Sequence, residues 1–313
     1  MTDRTLILVG SYPDRDVDAF GEAFAPHPVS HPSRIEELPA GLRERARAVA
    51  LKGHHPFDGA VMDRLPALEL IANYGVGIDA IDLEAARERG IRVTNTPDVL
   101  DDDVADLAVA MWLAEARGLV NADRFVRAGD WTHGAFPLRR AVTGRRVGIL
   151  GLGRIGREIA GRLAAFKTRI HYYSRTEKAT PGWTFHDTPR ALAAAVDDLF
   201  VSVVGGVATE GLVDAAVLDA LGPDGTLVNV SRGSVVDEAA LIDALASGRL
   251  RGAGLDVFRG EPHVDPALIA MPNVVLQPHI GTGTIEVRAA MGDLQRRNIA
   301  ALFDGTPFPT PVI

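Results

Sequence analysis

Short apolar runs alternate along almost the whole chain with stretches whose apolar residues recur at helical spacing. Near the start, TLILVG and LELIANYG predict strands that end in polar or glycine-rich turns, and RAVALKG is a further apolar run ended by Lys52. IDLEAARERG predicts a short helix closed by Gly90, and IRVTNTPD a strand that stops at Pro97. LDDDVADLAVAMWLAEARGLV predicts a long helix. Its leading Asp101, Asp102 and Asp103 suit the positive end of a helix dipole, which makes capping the simpler reading of them and a metal site the lesser one. From Arg146 the rhythm is regular: RVGILG, RIHYYS, LFVSVV, TLVNVS, GAGLDVF and NVVLQPH have strand length, with four helical patterns between them. Runs apolar on both faces belong to parallel sheets covered by helices on both sides, so the expected class is α/β with doubly wound parallel sheets. No fixed-period repeat or low-complexity linker interrupts the pattern.

At 313 residues the chain is long enough for about two domains. Acidic residues outnumber basic ones, 41 to 33, and the net charge of −8 argues against nucleic acid gripped by bulk charge. The absence of cysteine removes disulfides, thiolate catalysis and cysteine-built zinc sites, and no metal site is expected. No stretch approaches the ~18–20 apolar residues of a membrane helix, and the first residues lack the features of a signal peptide, so no membrane contact and a cytoplasmic location are expected. Only three lysines occur, Lys52, Lys167 and Lys178; arginine supplies the other basic residues, so a lone arginine carries little weight.

The sharpest local motif is Gly151-Leu152-Gly153-Arg154-Ile155-Gly156, directly after a predicted strand and before an amphipathic helix. Gly151 allows the tight turn, Gly153 lets the main chain approach a pyrophosphate, and Gly156 lets helix and strand pack closely. The helix N-terminus then offers unpaired N–H groups to phosphate oxygens. An acid that would bond the ribose 2′-OH is expected about 20 residues on. Ser174, Arg175 and Thr176 stand there instead, with no carboxylate before Glu177. Hydroxyls and a guanidinium suit a 2′-phosphate, so the expected cofactor is NADP, with NADPH favoured over NADH.

Three residues stand at predicted strand ends: Arg232 in NVSRGSVVDE, Glu261 in DVFRGEP and His279 in QPHIG. Ligands of open α/β sheets bind beyond the carboxyl ends of strands, so the three side chains can converge on one crevice. Taken singly, each also has an ordinary reading as a salt-bridge arginine, a solvated acid or a strand-end histidine. With these residues the sequence resembles the D-2-hydroxyacid dehydrogenases, in particular the glyoxylate/hydroxypyruvate reductase branch. NYGVGIDAID, RVTNTPDVL, GILGLGRIG, VNVSRGSVVDE, GAGLDVF and NVVLQPHIG follow in that family's order, with 261 − 232 = 29 and 279 − 261 = 18 residues between the three.

The resemblance implies two Rossmann-like or flavodoxin-like domains with the active site in the cleft between them. Residues 1–98 with 284–313 would bind substrate, and 99–283 would bind the cofactor. Cofactor contacts carried over are Gly151, Gly153, Arg154, Ile155, Gly156, Ser174, Arg175, Thr176, Val204, Gly205, Thr209, Val230, Ser231, Asp256, His279 and Gly281, with Asp256 on the nicotinamide carboxamide. Substrate contacts are Lys52, Val76, Gly77, Arg232, Thr282 and Trp131, the last reaching a neighbouring subunit's site. Successive N–H groups in the Gly75-Val76-Gly77 turn would form an anion nest.

The resemblance also implies roles that the chemistry supports: Arg232 clamps the carboxylate of a small 2-keto acid, His279 protonates the keto oxygen, and Glu261 holds the imidazole protonated. Glyoxylate and hydroxypyruvate are the expected substrates. A 2-ketogluconate-type sugar-acid reductase and a non-catalytic, dinucleotide-sensing corepressor scaffold are the alternatives. Departures from the family pattern are Thr282-Gly283 after His279-Ile280-Gly281, where Gly283 is expected to loosen the main chain, the Gly205-Gly206 pair, and Ser231. The apolar helix at 101–118 is the expected homodimer contact, though it could equally be buried within one subunit. His27, His31, His54 and His55 are expected on the surface or in loops.

Overall fold

The structure, a computed structural model, describes residues 4–313. The chain divides into two compact units, one running to Leu100 and resuming with Thr284–Ile313, the other Asp101–Gly283.

The first unit is built on five parallel strands: β1 (Thr5–Val9), β2 (Ala25–Val29), β3 (Ala48–Leu51), β4 (Leu70–Asn73) and β5 (Arg92–Thr94). Their order, β2-β1-β3-β4-β5, is the flavodoxin-like one, and it reverses direction between β1 and β3. β2 was not legible in the sequence because APHPV carries two prolines; it lies at the sheet edge, where a missing N–H is tolerated. His27 is therefore a half-buried strand residue rather than a loop residue. β5 stops three residues short of the expected Pro97. Asn95 and Thr96 turn away instead, donating Asn95 Nδ2 to Val76 O (3.1 Å) and accepting Gly75 N–H on Thr96 Oγ1 (2.9 Å). The terminal helix Ile285–Asp304 is fastened to this sheet by buried Gln295, whose Nε2 donates to Ala72 O at 2.8 Å.

The second unit holds seven parallel strands: β6 (Arg146–Leu150), β7 (Arg169–Tyr173), β8 (Thr184–His186), β9 (Asp198–Val201), β10 (Thr226–Asn229), β11 (Gly252–Leu255) and β12 (Val274–Leu276). The order β12-β11-β10-β9-β6-β7-β8 is that of a Rossmann sheet with one added strand, and it reverses between β6 and β9. Its core is apolar on both faces, as in Leu150, Val201 and Leu227 on one side and Ile149, Phe200 and Val228 on the other.

The helix Asp101–Arg117 packs its apolar stripe, including wholly buried Trp112, on this unit's own core. It ends at Gly118 in the left-handed region (φ 62°), and a second helix, Leu119–Arg127, follows with no buried residue. On these two helices the large apolar side chains left exposed are thus Leu119, Val120 and Val126, not those of 101–117. The leading aspartates fasten two helices together: Asp102 pairs with Arg162 at 2.6 Å and Asp101 with Arg154 at 3.6 Å. No helix among the described residues is long and apolar enough to cross a membrane.

Candidate active site

In the seven-stranded unit, the loops after β6, β7 and β9 surround a cavity of ≈840 Å³ at the strand-order reversal, where open α/β sheets bind ligands. Two glycines shape it by close approach. A Cβ on Gly151, which has φ +105°, would lie 2.7 Å from Val203 N, and one on Gly156 would lie 2.1 Å from Gly151 O. A Cβ on Gly153, by contrast, would meet nothing within 4 Å, so the main chain here is bare on the side of the cavity it lines. The helix Arg154–Ala164 starts at this point, its positive end at the turn. A dinucleotide pyrophosphate fits that cradle.

Ser174, Arg175 and Thr176, just past β7, line the same cavity, and so does Lys178. Its lining holds two cationic side chains and no carboxylate. Ser174 Oγ donates to Thr176 O at 2.5 Å, closing the turn, which leaves Arg175, Lys178 and the Thr176 hydroxyl as side-chain donors. Lys178 was missed in the sequence, although it is one of only three lysines. Its main-chain N–H and C=O both bond the buried Tyr172 hydroxyl, at 2.9 and 3.0 Å, which sets its place.

Other expected cofactor residues divide by what their side chains already do. Val204 is exposed in the loop beyond β9, and Thr209 Oγ1 donates to Val204 O at 2.7 Å, tying that loop back on itself. Ser231 is buried, its hydroxyl given to Val203 O, so it braces the ends of β9 and β10 rather than facing the cavity. Val230 and Ile155 pack against the core. Asp256 is 2% exposed and has the structural partners its burial requires: Oδ1 accepts Ile280 N–H at 2.7 Å and Oδ2 accepts Gly281 N–H at 2.8 Å. Burial pushes its carboxyl above the usual value, against the pull of those two amides.

Arg232, Glu261 and His279 follow β10, β11 and β12 in this unit. His279 holds a left-handed conformation (φ 53°), its N–H donated to Asp256 O at 2.8 Å. Glu261 Oε2 meets His279 Nδ1 at 2.7 Å, while Oε1 accepts Phe258 N–H at 2.8 Å. Both side chains are about a quarter exposed, 26% for Glu261 and 28% for His279. A carboxylate on Nδ1 makes that nitrogen the donor and leaves Nε2 as the ring nitrogen directed elsewhere.

Arg232 donates Nη1 to Ser231 O at 2.8 Å and lies against the loop beyond β9, where a Cβ on Gly205 would be 2.5 Å from Arg232 Cγ. The Gly205 departure is therefore the space that Arg232 fills. The expected loosening at Gly283 is not found. Gly283 N donates to Ile280 O at 2.7 Å in a tight turn, and a Cβ there would come within 2.8 Å of that same oxygen. Thr282 is half-buried beside it, and Trp131 is 69% exposed in the short turn Asp130–Thr132.

In the five-stranded unit, the turn of Gly75, Val76 and Gly77 follows β4 and is braced from three sides. Asn73 Nδ2 donates to Gly75 O and Gly77 O (3.1 and 2.8 Å), Thr96 takes Gly75 N–H, and Asn95 holds Val76 O. The Val76 and Gly77 amides make no hydrogen bond within the described residues, which gives an anion nest two donors wide. Lys52 follows β3 with its ammonium 5.0 Å from the Tyr12 ring centre and 4.8 Å from that of Tyr74.

A Rossmann sheet with this glycine turn and a Glu–His pair at its strand ends is suited to a nucleotide-binding oxidoreductase. The model of the D-isomer specific 2-hydroxyacid dehydrogenase NAD binding domain matches residues 109–281. Glyoxylate/hydroxypyruvate reductase A of Arabidopsis thaliana is 48% identical over 271 residues, 87% of each chain. The 2-ketogluconate reductase of Gluconobacter oxydans is 42% identical over 93% of each chain. Among solved structures, the NADPH-dependent glyoxylate/hydroxypyruvate reductase of Sinorhizobium meliloti, in complex with NADP and malonate, superposes with a TM-score of 0.94 at 44% identity, covering 99% of this chain and 97% of that one. The chain belongs to the D-isomer specific 2-hydroxyacid dehydrogenase family.

Proposed function

We propose that the protein reduces small 2-keto acids, glyoxylate and hydroxypyruvate first, to 2-hydroxy acids with NADPH. The observation that carries this reading is the Glu261–His279 pair at 2.7 Å beside the end of a nucleotide-binding sheet. Gly151, Gly153 and the start of the helix at Arg154 would hold the pyrophosphate, and Arg175, Thr176 and Lys178 the 2′-phosphate. The reduced nicotinamide, when bound, is the source of the hydride. Arg232 supplies the cation for the substrate carboxylate, and the Val76 and Gly77 amides are two donors suited to an anion. His279 gives a proton from Nε2 to the keto oxygen, and Glu261 keeps the ring oriented. Asp256 serves chiefly by fixing the main chain at Ile280 and Gly281, next to His279.

The reading extends to a homodimer in the cytoplasm. Because the apolar stripe of 101–117 is spent in its own unit, the surface offered to a second copy is Leu119, Val120 and Val126 with Trp131. Incubation of hydroxypyruvate with NADPH and enzyme, followed by chiral analysis, tests the reaction. D-glycerate is the expected product; L-glycerate or unchanged keto acid would refute it.

A further inference from the structure

β7 and β8 are adjacent parallel strands, yet the chain passes from one to the other through residues 174–183 with no helix or strand between them. Parallel neighbours are ordinarily joined by a helical crossover, whose own hydrogen bonds fix its shape. This crossover has no such ladder, so a few side chains decide its course. Ser174 Oγ closes its first turn on Thr176 O. Arg157, from the helix that starts at the glycine turn, donates Nη1 to Ala179 O at 3.2 Å, and Thr180 Oγ1 accepts Trp183 N–H at 3.2 Å.

The central tie is Tyr172, on β7. It is 1% exposed, with its ring in the core of the unit and 5.5 Å from that of Phe185. A phenylalanine would fill that place as well, so the hydroxyl needs an account of its own. Its donor and its acceptor capacity both go to one residue: it accepts Lys178 N–H at 2.9 Å and donates to Lys178 O at 3.0 Å. Held by both main-chain groups, residue 178 can neither slide along the loop nor turn about it without breaking a bond.

The double bond to residue 178 fixes the phase of the charges. Tyr173, Ser174, Arg175, Thr176 and Lys178 line the cavity beyond β7, and of this run Glu177 alone does not. Glu177 is exposed instead. A slip of one residue would bring a carboxylate to the place of an ammonium. A carboxylate there repels a phosphate and accepts from a ribose 2′-hydroxyl, which is the difference that separates the two dinucleotides.

We infer that Tyr172 is a positioning residue for cofactor choice: its hydroxyl sets the phase of 174–178, so that Lys178 lines the cavity and Glu177 stays out of it. This rests on the reading that the cavity takes the 2′-phosphate of NADPH. Tyr172 is not itself part of the cavity lining and acts through Lys178. In the sequence it reads only as one more apolar position of a strand, because the partner of its hydroxyl lies in an irregular loop.

The test is a set of fluorescence titrations that give Kd for NADPH and for NADH, with no keto acid present, in the wild type, Tyr172→Phe, Glu177→Gln and the double variant. Tyr172→Phe should raise the NADPH Kd by about tenfold, the worth of one to two hydrogen bonds, and the NADH Kd by less than about twofold. Glu177→Gln should change the ratio of the two by less than about twofold in the wild type, where its charge is already outside the cavity. In Tyr172→Phe the same substitution should restore most of the lost NADPH preference, because the side chain that swings in no longer carries a charge. Each ratio is taken within one preparation, so a partly folded variant does not alter it. An unchanged ratio in Tyr172→Phe, an equal loss with both cofactors, or a Glu177→Gln effect of the same size in both backgrounds overturns the inference while the NADPH assignment stands. A wild type that does not bind NADPH the more tightly overturns that assignment itself.

Discussion

Glu261 meets His279 with one carboxylate oxygen, at 2.7 Å from Nδ1, while its other oxygen is held by the Phe258 N–H at 2.8 Å. The acid is thus fixed at one end before it orients the ring at the other, so the imidazole has little freedom to turn. His279→Ala should lower kcat by about 10²–10⁴-fold, the usual worth of a positioned general acid, with a much smaller change in NADPH affinity. Glu261→Gln, which keeps the shape but not the charge, should lower kcat by a smaller factor. Steady-state rates beside NADPH fluorescence titrations separate the two effects, and equal loss of binding and turnover in His279→Ala would contradict an acid role.

Arg175 and Lys178, the two cations in a cavity without a carboxylate, are the residues proposed to set cofactor choice. Replacing Arg175 by Ala should weaken NADPH by about 10–100-fold, the range of a charged hydrogen bond to phosphate, and change NADH little. Ser174→Asp combined with Arg175→Ala should move the preference to NADH, because a carboxylate there accepts from the ribose hydroxyls and repels the phosphate. Ratios of kcat/KM for the two cofactors measure this. A preference that stays put would place the phosphate elsewhere.

Gly205 and Arg232 occupy complementary space. A methyl group at 205 would stand 2.5 Å from Arg232 Cγ, near the root of that side chain, where it cannot yield cheaply. Gly205→Ala should therefore displace the guanidinium and raise the keto-acid KM more than the NADPH KM. A displacement of about 1 Å is enough for a loss approaching 10²-fold in kcat/KM. If the two KM values rose in parallel, the loop and not Arg232 would be the seat of the effect.

His171 and His186 lie side by side on β7 and β8, Nδ1 to Nε2 at 3.0 Å, which requires at least one of the two facing nitrogens to be unprotonated. Burial holds both below histidine's ordinary 6.5; for His171 the neighbouring His186 and the guanidiniums of Arg146 and Arg169 add to this, and Asp197 opposes it. For His186 the opposing charge is Asp187. The unfolded chain takes up these protons at higher pH than the folded one. The stability linked to the pair is therefore fully present above pH 6.5 and is lost as the pH falls below it. Thermal unfolding of the wild type should show Tm dropping between about pH 7 and pH 5.5 more steeply than His186→Gln does. Identical slopes would rule out the pair as the origin.

Much of this was legible in the sequence for identifiable reasons. β6, β9, β10 and β11 are continuous apolar runs between helical patterns, and a glycine turn between strand and helix has few other uses. Arg232, Glu261 and His279 could be named because each stands just past such a run. Two of the four edge strands were not legible: β2 carries prolines and β8 has three residues, and both owe their structure to the neighbouring strand. Ser231 and Thr209 look like ligand contacts as residue types, but the Ser231 hydroxyl goes to Val203 O in another loop and the Thr209 hydroxyl to Val204 O in its own. Lys178 was out of reach because its place depends on the Tyr172 hydroxyl, which a linear pattern does not display.

The most direct measurement is the loss of near-ultraviolet absorbance of the reduced nicotinamide with glyoxylate, run with NADPH and with NADH on the same preparation. Rapid oxidation of NADPH, with kcat/KM at least about tenfold above that for NADH, is the expected result. No oxidation with glyoxylate, hydroxypyruvate or any longer 2-keto acid would contradict the reductase reading, and a clear preference for NADH would contradict the part assigned to Arg175 and Lys178.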